Sequence, residues 1–190
     1  MLTQADRRHL LAVARDAIAH RIVGSPILLV PQPDRADLPV PAGLFVTLTK
    51  GPHLRGCVGQ LEPCGTLEQI VAACAVSAAT GDPRFPALAS SELPHTTIEI
   101  SILSPPVRVT GPNDVVLGTH GVIIHQGSRR GLLLPQVGAG HGWTVEKLLS
   151  QASRKAGLFA DAWRTGATID VFTAEVFSEE DVLAHRPSTG

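Results

Sequence analysis

A thiol, a guanidinium and two glycines lie close together in residues 54–60, which read LRGCVGQ. Side chains alternate between the two faces of a strand. This alternation assigns Arg55, Cys57 and Gly59 to one face, and Leu54, Gly56 and Val58 to the other. Glycine inside a strand is typical of a bulge or of a close approach by a ligand or another backbone. The pattern predicts a binding or reactive centre here, with Gly56 and Gly59 as ligand-binding positions.

Cys57 is the leading candidate for a nucleophile or a ligand. Arg55 on the same face favours a thiolate, and a helix predicted a few residues later adds its N-terminal dipole if it points back at the strand. A free cysteine also behaves as a small buried hydrophobe, so a structural role stays open. Of the other two cysteines, Cys64 falls in a turn, and Cys74 lies on an apolar helix face where it is expected in the core.

Residues 82–86, which read DPRFP, form a second candidate stretch. Two prolines stiffen this loop, so it can present Asp82 and Arg84 rigidly as ligand-binding residues. A structural interpretation stands beside this one, in which Arg84 caps carbonyl groups and Phe85 fills the core.

Glu99 and Gln136 complete the set of candidate site residues. Glu99 alternates with strand isoleucines, so it is either solvated or faces a cleft with Arg55 as its partner. Gln136 precedes the flexible segment 138–142, which can line a pocket. We therefore name Cys57, Arg55 and Glu99 as catalytic candidates and Gln136 as a ligand-binding one.

Other chemistries lack their usual motifs. The spacing of Cys57 and Cys64 is not one that zinc sites use, and convergence of His120, His125 and His141 stays open. The chain has no Gly-x-Ser-x-Gly elbow and no phosphate-binding Gly-x4-Gly-Lys-Ser/Thr loop. The sequence predicts no metal and no cofactor.

Local periodicity and end signals predict the elements that position these residues. The first half is predicted as a helix over 4–21, an irregular proline-rich connection over 31–43, strands over 44–49 and 54–60, a helix over 66–80 and a strand over 96–103. The second half is predicted as strands over 122–125 and 131–134, a helix over 144–156, a strand over 169–177 and a polar tail over 178–190.

The two halves repeat one order at a nearly constant offset. Arg55-Gly56 and Arg130-Gly131 are 75 positions apart, the helix N-caps Thr66 and Thr144 are 78 apart, and the closing glycines Gly81 and Gly157 are 76 apart. The offsets favour an internal duplication of a strand-strand-helix-strand unit, although coincidence in a common order is the alternative. Either origin implies an α+β fold with a mainly antiparallel, curved sheet and packed helices. The predicted divisions are 1–43, a first unit 44–104, a second unit 115–178 and a tail 179–190.

Composition restricts the class of protein. The chain has 190 residues, of which 44% are hydrophobic, and a net charge of −1. This length supports one sizeable core or two small ones, and the charge argues against general nucleic-acid binding. The apolar runs are too short for a membrane span, and the acidic N-terminal helix differs from a signal peptide. Three cysteines without framework spacing indicate reduced thiols in a cytosolic protein.

Taken together, the motifs resemble the AMMECR domain family, the A component of the AmmeMemoRadiSam system. The matching stretches cover nearly the whole chain in order: residues 54–59, 82–86, 98–105, 131–137, 155–158 and the closing strand 172–177. Val58 stands where the family often has isoleucine, and the segment 138–142 looks like a local variant of a more acidic one.

The resemblance implies a compact α+β domain of two unequal lobes, with the Arg-Gly-Cys stretch at the cleft between them. It implies association with a Memo-type protein and a radical S-adenosylmethionine enzyme, and no established activity. Two functions follow. The chain is expected to be a small cytosolic enzyme, or enzyme subunit, that uses Cys57; the alternative is a non-catalytic adaptor or ligand-binding module for those partners.

Overall fold

The computed structural model describes residues 2–26 and 40–184, which divide into two compact units. Unit 1 comprises Met1–Ile102 and Glu175–Gly190, and unit 2 comprises Leu103–Ala174. The proline-rich connection predicted over 31–43 lies outside the described residues up to residue 39, and so does the end of the predicted tail, 185–190.

Groups of two to four consecutive strands are separated by helices along the chain, as expected for an α+β protein. The elements are α1 (Gln4–Ile22), β1 (Gly43–Lys50), β2 (His53–Leu61), α2 (Leu67–Thr80), β3 (Thr97–Leu103), β4 (Val107–Val109), β5 (Gly121–Gln126), β6 (Arg129–Leu133), α3 (Pro135–Gly140), α4 (Val145–Lys155), β7 (Thr168–Phe172), β8 (Ala174–Ser178) and α5 (Glu179–Ala184).

The strands form two antiparallel four-stranded sheets with equivalent orders, β2-β1-β3-β8 and β6-β5-β7-β4. Each sheet contains a hairpin, the strand that follows the next long helix, and a fourth strand. The fourth strand of each sheet comes from the other half of the chain. β4 follows β3 but joins the second sheet, and β8 follows β7 but joins the first. The α+β prediction is confirmed, and the repeated strand order supports the predicted duplication.

Each hairpin packs against its own helix. Thr66 caps α2 through a reciprocal capping box with Gln69, and Thr144 accepts a hydrogen bond from the Lys147 backbone at the start of α4. The apolar face of α2 meets the fully buried side chains of Leu44, Val46 and Leu48 in the core of unit 1. In unit 2 the α4 face packs on the fully buried Val122 and Ile124.

Several elements differ from the sequence-based expectations. The strand predicted over 169–177 is two strands, β7 and β8, separated at Thr173 and belonging to different sheets. The short elements β4 and α3 were not predicted, and the first part of the predicted tail forms α5. These segments are only three to six residues long, so periodicity within them carries little information.

The register of the β1–β2 hairpin contains a bulge that sets the orientation of the candidate residues. Leu48 pairs with Gly56 and Thr49 pairs with Leu54, so Arg55 is the extra residue on β2. The predicted alternation holds from Gly56 onward. It is wrong for Leu54, which stands opposite Thr49 on the outer face of the sheet and is 41% exposed.

Candidate functional site

Cys57 lies on the outer face of β2, the sheet face turned away from α2. Its cross-strand partner is Thr47, whose hydroxyl lies 3.4 Å from the Cys57 Sγ and donates a hydrogen bond to it. Both residues are half-buried. The thiol therefore has a hydrogen-bond donor beside it and remains partly accessible.

The loop after α2 crosses the free edge of β2 at this thiol. We call residues 82–87 the edge loop. Asp82 Oδ2 accepts a hydrogen bond from the Cys57 backbone N–H at 2.9 Å, and Arg84 Nη2 donates one to the Cys57 carbonyl oxygen at 3.4 Å. A carboxylate and a guanidinium thus satisfy the two backbone groups that an edge strand leaves unpaired.

Asp82 and Arg84 form a tight pair within the edge loop. Arg84 Nε and Nη2 donate to the two carboxylate oxygens of Asp82 at 2.9 and 2.6 Å, and the Arg84 backbone N–H donates to Oδ1 at 3.1 Å. The Arg84 hydrogen bond holds the pKa of Asp82 well below its usual range, against the opposing effect of burial. Asp82 is therefore a buried anion that fixes the position of the Arg84 guanidinium.

The cation next to the thiol is Arg84. The pKa of Arg84 is raised mainly by its hydrogen bond to Asp82, and the negative charge of an ionised Cys57 contributes to the same rise. The Arg84 side chain is 54% exposed, so this guanidinium is accessible from solvent.

The spacing predicted Arg55 as the cation beside the Cys57 thiol, but its guanidinium donates to the carboxylate of Glu92. Its Nε and Nη2 donate to the two Glu92 carboxylate oxygens at 3.0 Å each, and its Nη1 donates to the Pro86 carbonyl at 2.9 Å. The hydrogen bonds from the Arg55 side chain, followed by one from the Ala89 backbone N–H, lower the pKa of Glu92 to about 2. Arg55 therefore ties the bulge to the far end of the edge loop, and its recorded ion-pair partner is Glu92 in place of the predicted Glu99.

The two glycines of the motif are packed against protein. A Cβ on Gly56 would overlap the Ala78 carbonyl of α2, and a Cβ on Gly59 would overlap the ring of Phe45 on β1. The room that these glycines leave is filled by a helix backbone and an aromatic ring. Close packing therefore explains why both positions are glycine.

Glu99 and Gln136 lie in other parts of the fold. Glu99 is on β3 of unit 1, where burial and the nearby Asp181 raise its pKa. Gln136 is an exposed residue of α3 in unit 2. Neither takes part in the hydrogen bonds described above for Cys57, Asp82 and Arg84.

Sequence reasoning missed Thr47 and Glu92. The position of Thr47 depends on the bulge at Arg55, which local alternation does not reveal. Glu92 lies 37 residues from its partner Arg55 in a turn with no motif. A signal for Glu92 exists only in the general rule that a half-buried arginine needs a carboxylate partner.

The described residues contain no group of three or more histidine, cysteine or acidic side chains arranged to hold a metal ion. The three histidines considered in the sequence have separate surroundings. His120 Nδ1 accepts the Val116 N–H, His125 pairs with Asp170, and the His141 ring stacks on Trp143. All three cysteines are free, and Cys74 is buried as predicted. Within the described part of the chain, no helix has the length and apolar character needed to cross a bilayer.

The chain is similar to known proteins over most of its length. A family model described as AMMECR1 matches residues 11–177. Protein MK0488 of Methanopyrus kandleri is 42% identical over 190 residues, covering 95% of this chain and 91% of that protein. Protein MJ0810 of Methanocaldococcus jannaschii is 37% identical over 188 residues, covering 94% and 92%.

A solved structure has the same fold. The crystal structure of the uncharacterized protein PH0010 from Pyrococcus horikoshii superposes with a TM-score of 0.84 at 34% sequence identity. The match covers 90% of each chain. The likeness therefore extends over both units.

Proposed function

The chain belongs to the AMMECR1 family, and we propose that it is a thiol-dependent enzyme, or enzyme subunit, that acts on a small molecule at Cys57. In this proposal Cys57 is the nucleophile and Arg84 is the cation that stabilises its thiolate. Thr47 supplies a hydrogen bond to the sulfur, and Asp82 is a positioning residue that holds Arg84. The protein is proposed to work in the cytosol.

One observation carries the proposal: a half-buried thiol lies beside an accessible guanidinium that a buried carboxylate fixes in place. Reactive cysteines are found in partly exposed, electropositive surroundings of this kind. The thiolate is the form that attacks an electrophilic carbon, because a sulfur electron pair forms the new carbon–sulfur bond while the pair of a bond already at that carbon moves onto its oxygen or its leaving group.

The proposed partners are a Memo-type protein and a radical S-adenosylmethionine enzyme. This part of the proposal rests on the family resemblance alone. It implies that the substrate is made or consumed by one of those two proteins, so a test of activity needs both present.

Alkylation by iodoacetamide tests the thiol. We expect Cys57 to react faster than Cys74 across neutral pH, because burial raises the pKa of Cys74 to about 11. Arg84→Gln should slow the reaction of Cys57 several-fold. Arg164→Gln is the matched control, since Arg164 is also about half exposed, pairs with a carboxylate and stacks on the preceding aromatic residue. Equal rates for wild type and Arg84→Gln would remove Arg84 from the site.

Metabolite profiling tests catalysis. Wild type, Cys57→Ser and the control Cys64→Ser are each incubated with the two partner proteins and a small-molecule extract. We expect a metabolite whose conversion requires wild type or Cys64→Ser and stops with Cys57→Ser. If Cys57→Ser supports every conversion that wild type supports, the protein is the non-catalytic adaptor.

A further inference from the structure

The groups that contact Cys57 limit the reactions that its thiolate can carry out. Apart from the strand ladder, the polar contacts of Cys57 in the described part of the chain come from Thr47, Asp82 and Arg84. Attack by a cysteine on an amide or an ordinary ester needs a general acid, because an amine or an alcohol departs only after it receives a proton. The protonation states of these three residues therefore decide which leaving groups can depart from this site.

Asp82 has no proton to give and no lone pair left to accept one. Its Oδ1 accepts from the backbone N–H and the Nε of Arg84, and its Oδ2 accepts from the Cys57 N–H and from Arg84 Nη2. A carboxylate offers about four acceptor sites, so these four bonds occupy them. The side-chain hydrogen bond from Arg84 is also the main reason why the pKa of Asp82 lies well below its usual range. Asp82 therefore stays ionised at neutral pH and does not serve as a general acid or base.

Arg84 and Thr47 donate hydrogen bonds but do not transfer protons at neutral pH. A guanidinium keeps its protons in proteins, and the hydrogen bond to Asp82 raises the pKa of Arg84 further. The Thr47 hydroxyl lies 3.4 Å from Cys57 Sγ and has a single proton, which its bond to the sulfur uses. Among the contacts that described residues make with Cys57, none is therefore a general acid or base. These surroundings favour a leaving group that departs as an anion without first receiving a proton.

A thiolate is a leaving group of this kind, because thiols ionise with a pKa of about 8.5. We propose that Cys57 exchanges acyl groups between thiols, so that its substrate is a thioester. This inference rests on the proposed function, in which Cys57 is the nucleophile.

The proposed exchange needs no proton in either direction. An electron pair of Cys57 Sγ forms the bond to the acyl carbon while the pair of the carbonyl bond moves onto oxygen. That pair then returns to the carbonyl, and the carbon–sulfur bond of the substrate breaks with its electrons on the departing thiolate. A second thiolate, the acceptor, takes the acyl group from Cys57 by the same steps.

Thr47 has a second role in this exchange. Once Cys57 Sγ is bonded to the acyl carbon, it no longer carries the charge that the Thr47 hydroxyl stabilised. A hydroxyl proton rotates about its C–O bond, so it turns from the sulfur to the oxygen on which negative charge develops. A donor placed at that oxygen lowers the barrier to acyl transfer. Thr47 is therefore a catalytic residue for acyl transfer, whereas alkylation of the sulfur forms no oxyanion for it to stabilise.

Matched acetyl donors test the leaving group. The full chain is incubated at neutral pH with N-acetylcysteamine acetylated on sulfur, or with the analogues that have oxygen or NH in place of that sulfur. Peptide mass spectrometry follows the acetylation of each cysteine, and the exposed Cys64 is the internal reference. We expect the thioester to acetylate Cys57 about tenfold faster than Cys64, and the oxygen ester and the amide to leave Cys57 unmodified. An excess of free N-acetylcysteamine should remove the acetyl group again.

Variants of Thr47 separate acyl transfer from ionisation of the thiol. Both the thioester and iodoacetamide react with the thiolate, so the ratio of their rates at Cys57 cancels the ionised fraction. We expect Thr47→Val to lower this ratio about tenfold and Thr47→Ser, which keeps the hydroxyl, to retain it. Thr49→Val is the control, since Thr49 is also half-buried on the outer face of β1. An unchanged ratio in Thr47→Val would overturn the role of Thr47.

The donors also distinguish failure of the thioester assignment from failure of the proposed function. Acetylation of Cys57 by the oxygen ester as fast as by the thioester would overturn the assignment, because it would demonstrate a proton donor at the site. Acetylation by the thioester no faster at Cys57 than at Cys64 would also overturn it, and the nucleophile would stand if Arg84→Gln still slows alkylation of Cys57. If Arg84→Gln leaves alkylation unchanged as well, the proposed activation of the thiol fails with it.

Discussion

The hairpins of the two units match residue for residue except at one position. Leu48 and Ile124 are 76 residues apart, as are Leu54 and Arg130, and each pair has the same place in its ladder. After the bulge the separation falls to 75, as for Gly56 and Gly131. Arg55 is therefore the single extra residue, and by register the counterpart of Arg130 is Leu54.

The outer faces of the two hairpins differ in chemistry. Thr47 and Cys57 face each other in unit 1, and their counterparts Ile123 and Leu132 face each other in unit 2. Those two apolar side chains are almost completely buried. The helix-facing sides are alike, because both Gly56 and Gly131 abut a helix backbone. The shared scaffold thus lies on the helix side, and the Thr47–Cys57 pair is a property of the outer face of unit 1.

The strongest test of the shared scaffold changes one buried helix position in each unit. Cys74 and Ala152 are 78 residues apart, like the N-caps Thr66 and Thr144, and both are buried. We expect Cys74→Asp and Ala152→Asp each to lower the free energy of unfolding by at least about 4 kcal/mol, because each buries an unpaired charge. Urea denaturation measures this. Ala73→Asp, on the exposed face of α2, is the control. An unchanged midpoint for either buried variant would contradict the equivalence.

The glycine pair gives the next largest effect. A Cβ at Gly56 meets the Ala78 carbonyl, and one at Gly131 meets the Ala152 carbonyl and the Ala156 backbone N–H. Backbone atoms move only with the helix, so we expect Gly56→Ala and Gly131→Ala each to cost about 3 kcal/mol in unfolding free energy. Gly140→Ala has open space and should stay within about 0.5 kcal/mol of wild type. A loss of stability for only one of these two variants would show that α2 and α4 pack differently on their hairpins.

The sequence was informative where local rules decide the outcome. The capping box at Thr66 and the apolar spacing over 66–80 predicted α2 to within a residue at its start, and the family resemblance is confirmed. The strand predicted over 169–177 failed at Thr173, because alternation continues through a residue where the chain passes from one sheet to the other. Choice of sheet is a long-range property that no local pattern contains.

The candidate site was predicted in part for the same reason. The motif located Cys57, Asp82 and Arg84, but the pairing of these groups follows from the bulge. Counting from the turn pair Lys50–His53 without a bulge, Cys57 would stand opposite Val46, on the helix side. The extra residue moves Cys57 opposite Thr47. The ion-pair partner of Arg55 was therefore not foreseen, since a bulged residue leaves the alternation on which its predicted position was based.

Arg55 is the extra residue of the unit 1 hairpin, so it has no counterpart by register on β6. We expect the loss of its ion pair with Glu92 to have a moderate effect on stability. We expect Arg55→Ala to cost about 1–3 kcal/mol in unfolding free energy at neutral pH, because Glu92 loses a two-point partner. The pKa of Glu92 is lowered from 4.5 to about 2, with the bonds from Arg55 as the largest cause, so the contribution of the ion pair is complete above pH 4.5 and is lost as pH falls toward 2. Denaturation across that window should narrow the difference between the two proteins to the part that the bond from Arg55 to the Pro86 carbonyl contributes. A double-mutant cycle with Glu92→Gln isolates the ion pair, and a coupling energy as large at pH 2 as at neutral pH would contradict this assignment.

We expect the smallest effects on stability from replacing a carboxylate on the third strand of each sheet. These carboxylates are Glu99 on β3 and Asp170 on β7. Asp170 pairs with Arg108 and contacts His125, whereas Glu99 is half-buried near Asp181. Burial first, and then the like charge of Asp181, raise the pKa of Glu99, so the folded state holds that proton more tightly than the unfolded state. Wild type therefore loses stability as pH rises from the ordinary glutamate value of 4.5 through the raised one.

Glu99→Gln carries no charge to bury at any pH. We expect it to match wild type in acid and to be more stable by about 0.5 kcal/mol at neutral pH, whereas Asp170→Asn should be less stable there by about 1 kcal/mol. Thermal unfolding at acid and neutral pH measures both. A neutral-pH loss for Glu99→Gln as large as that for Asp170→Asn would mean that Glu99 has a cationic or donor partner in the folded chain. That outcome would return Glu99 to the set of site residues, because a catalytic carboxylate needs such a partner to stay ionised in a half-buried position.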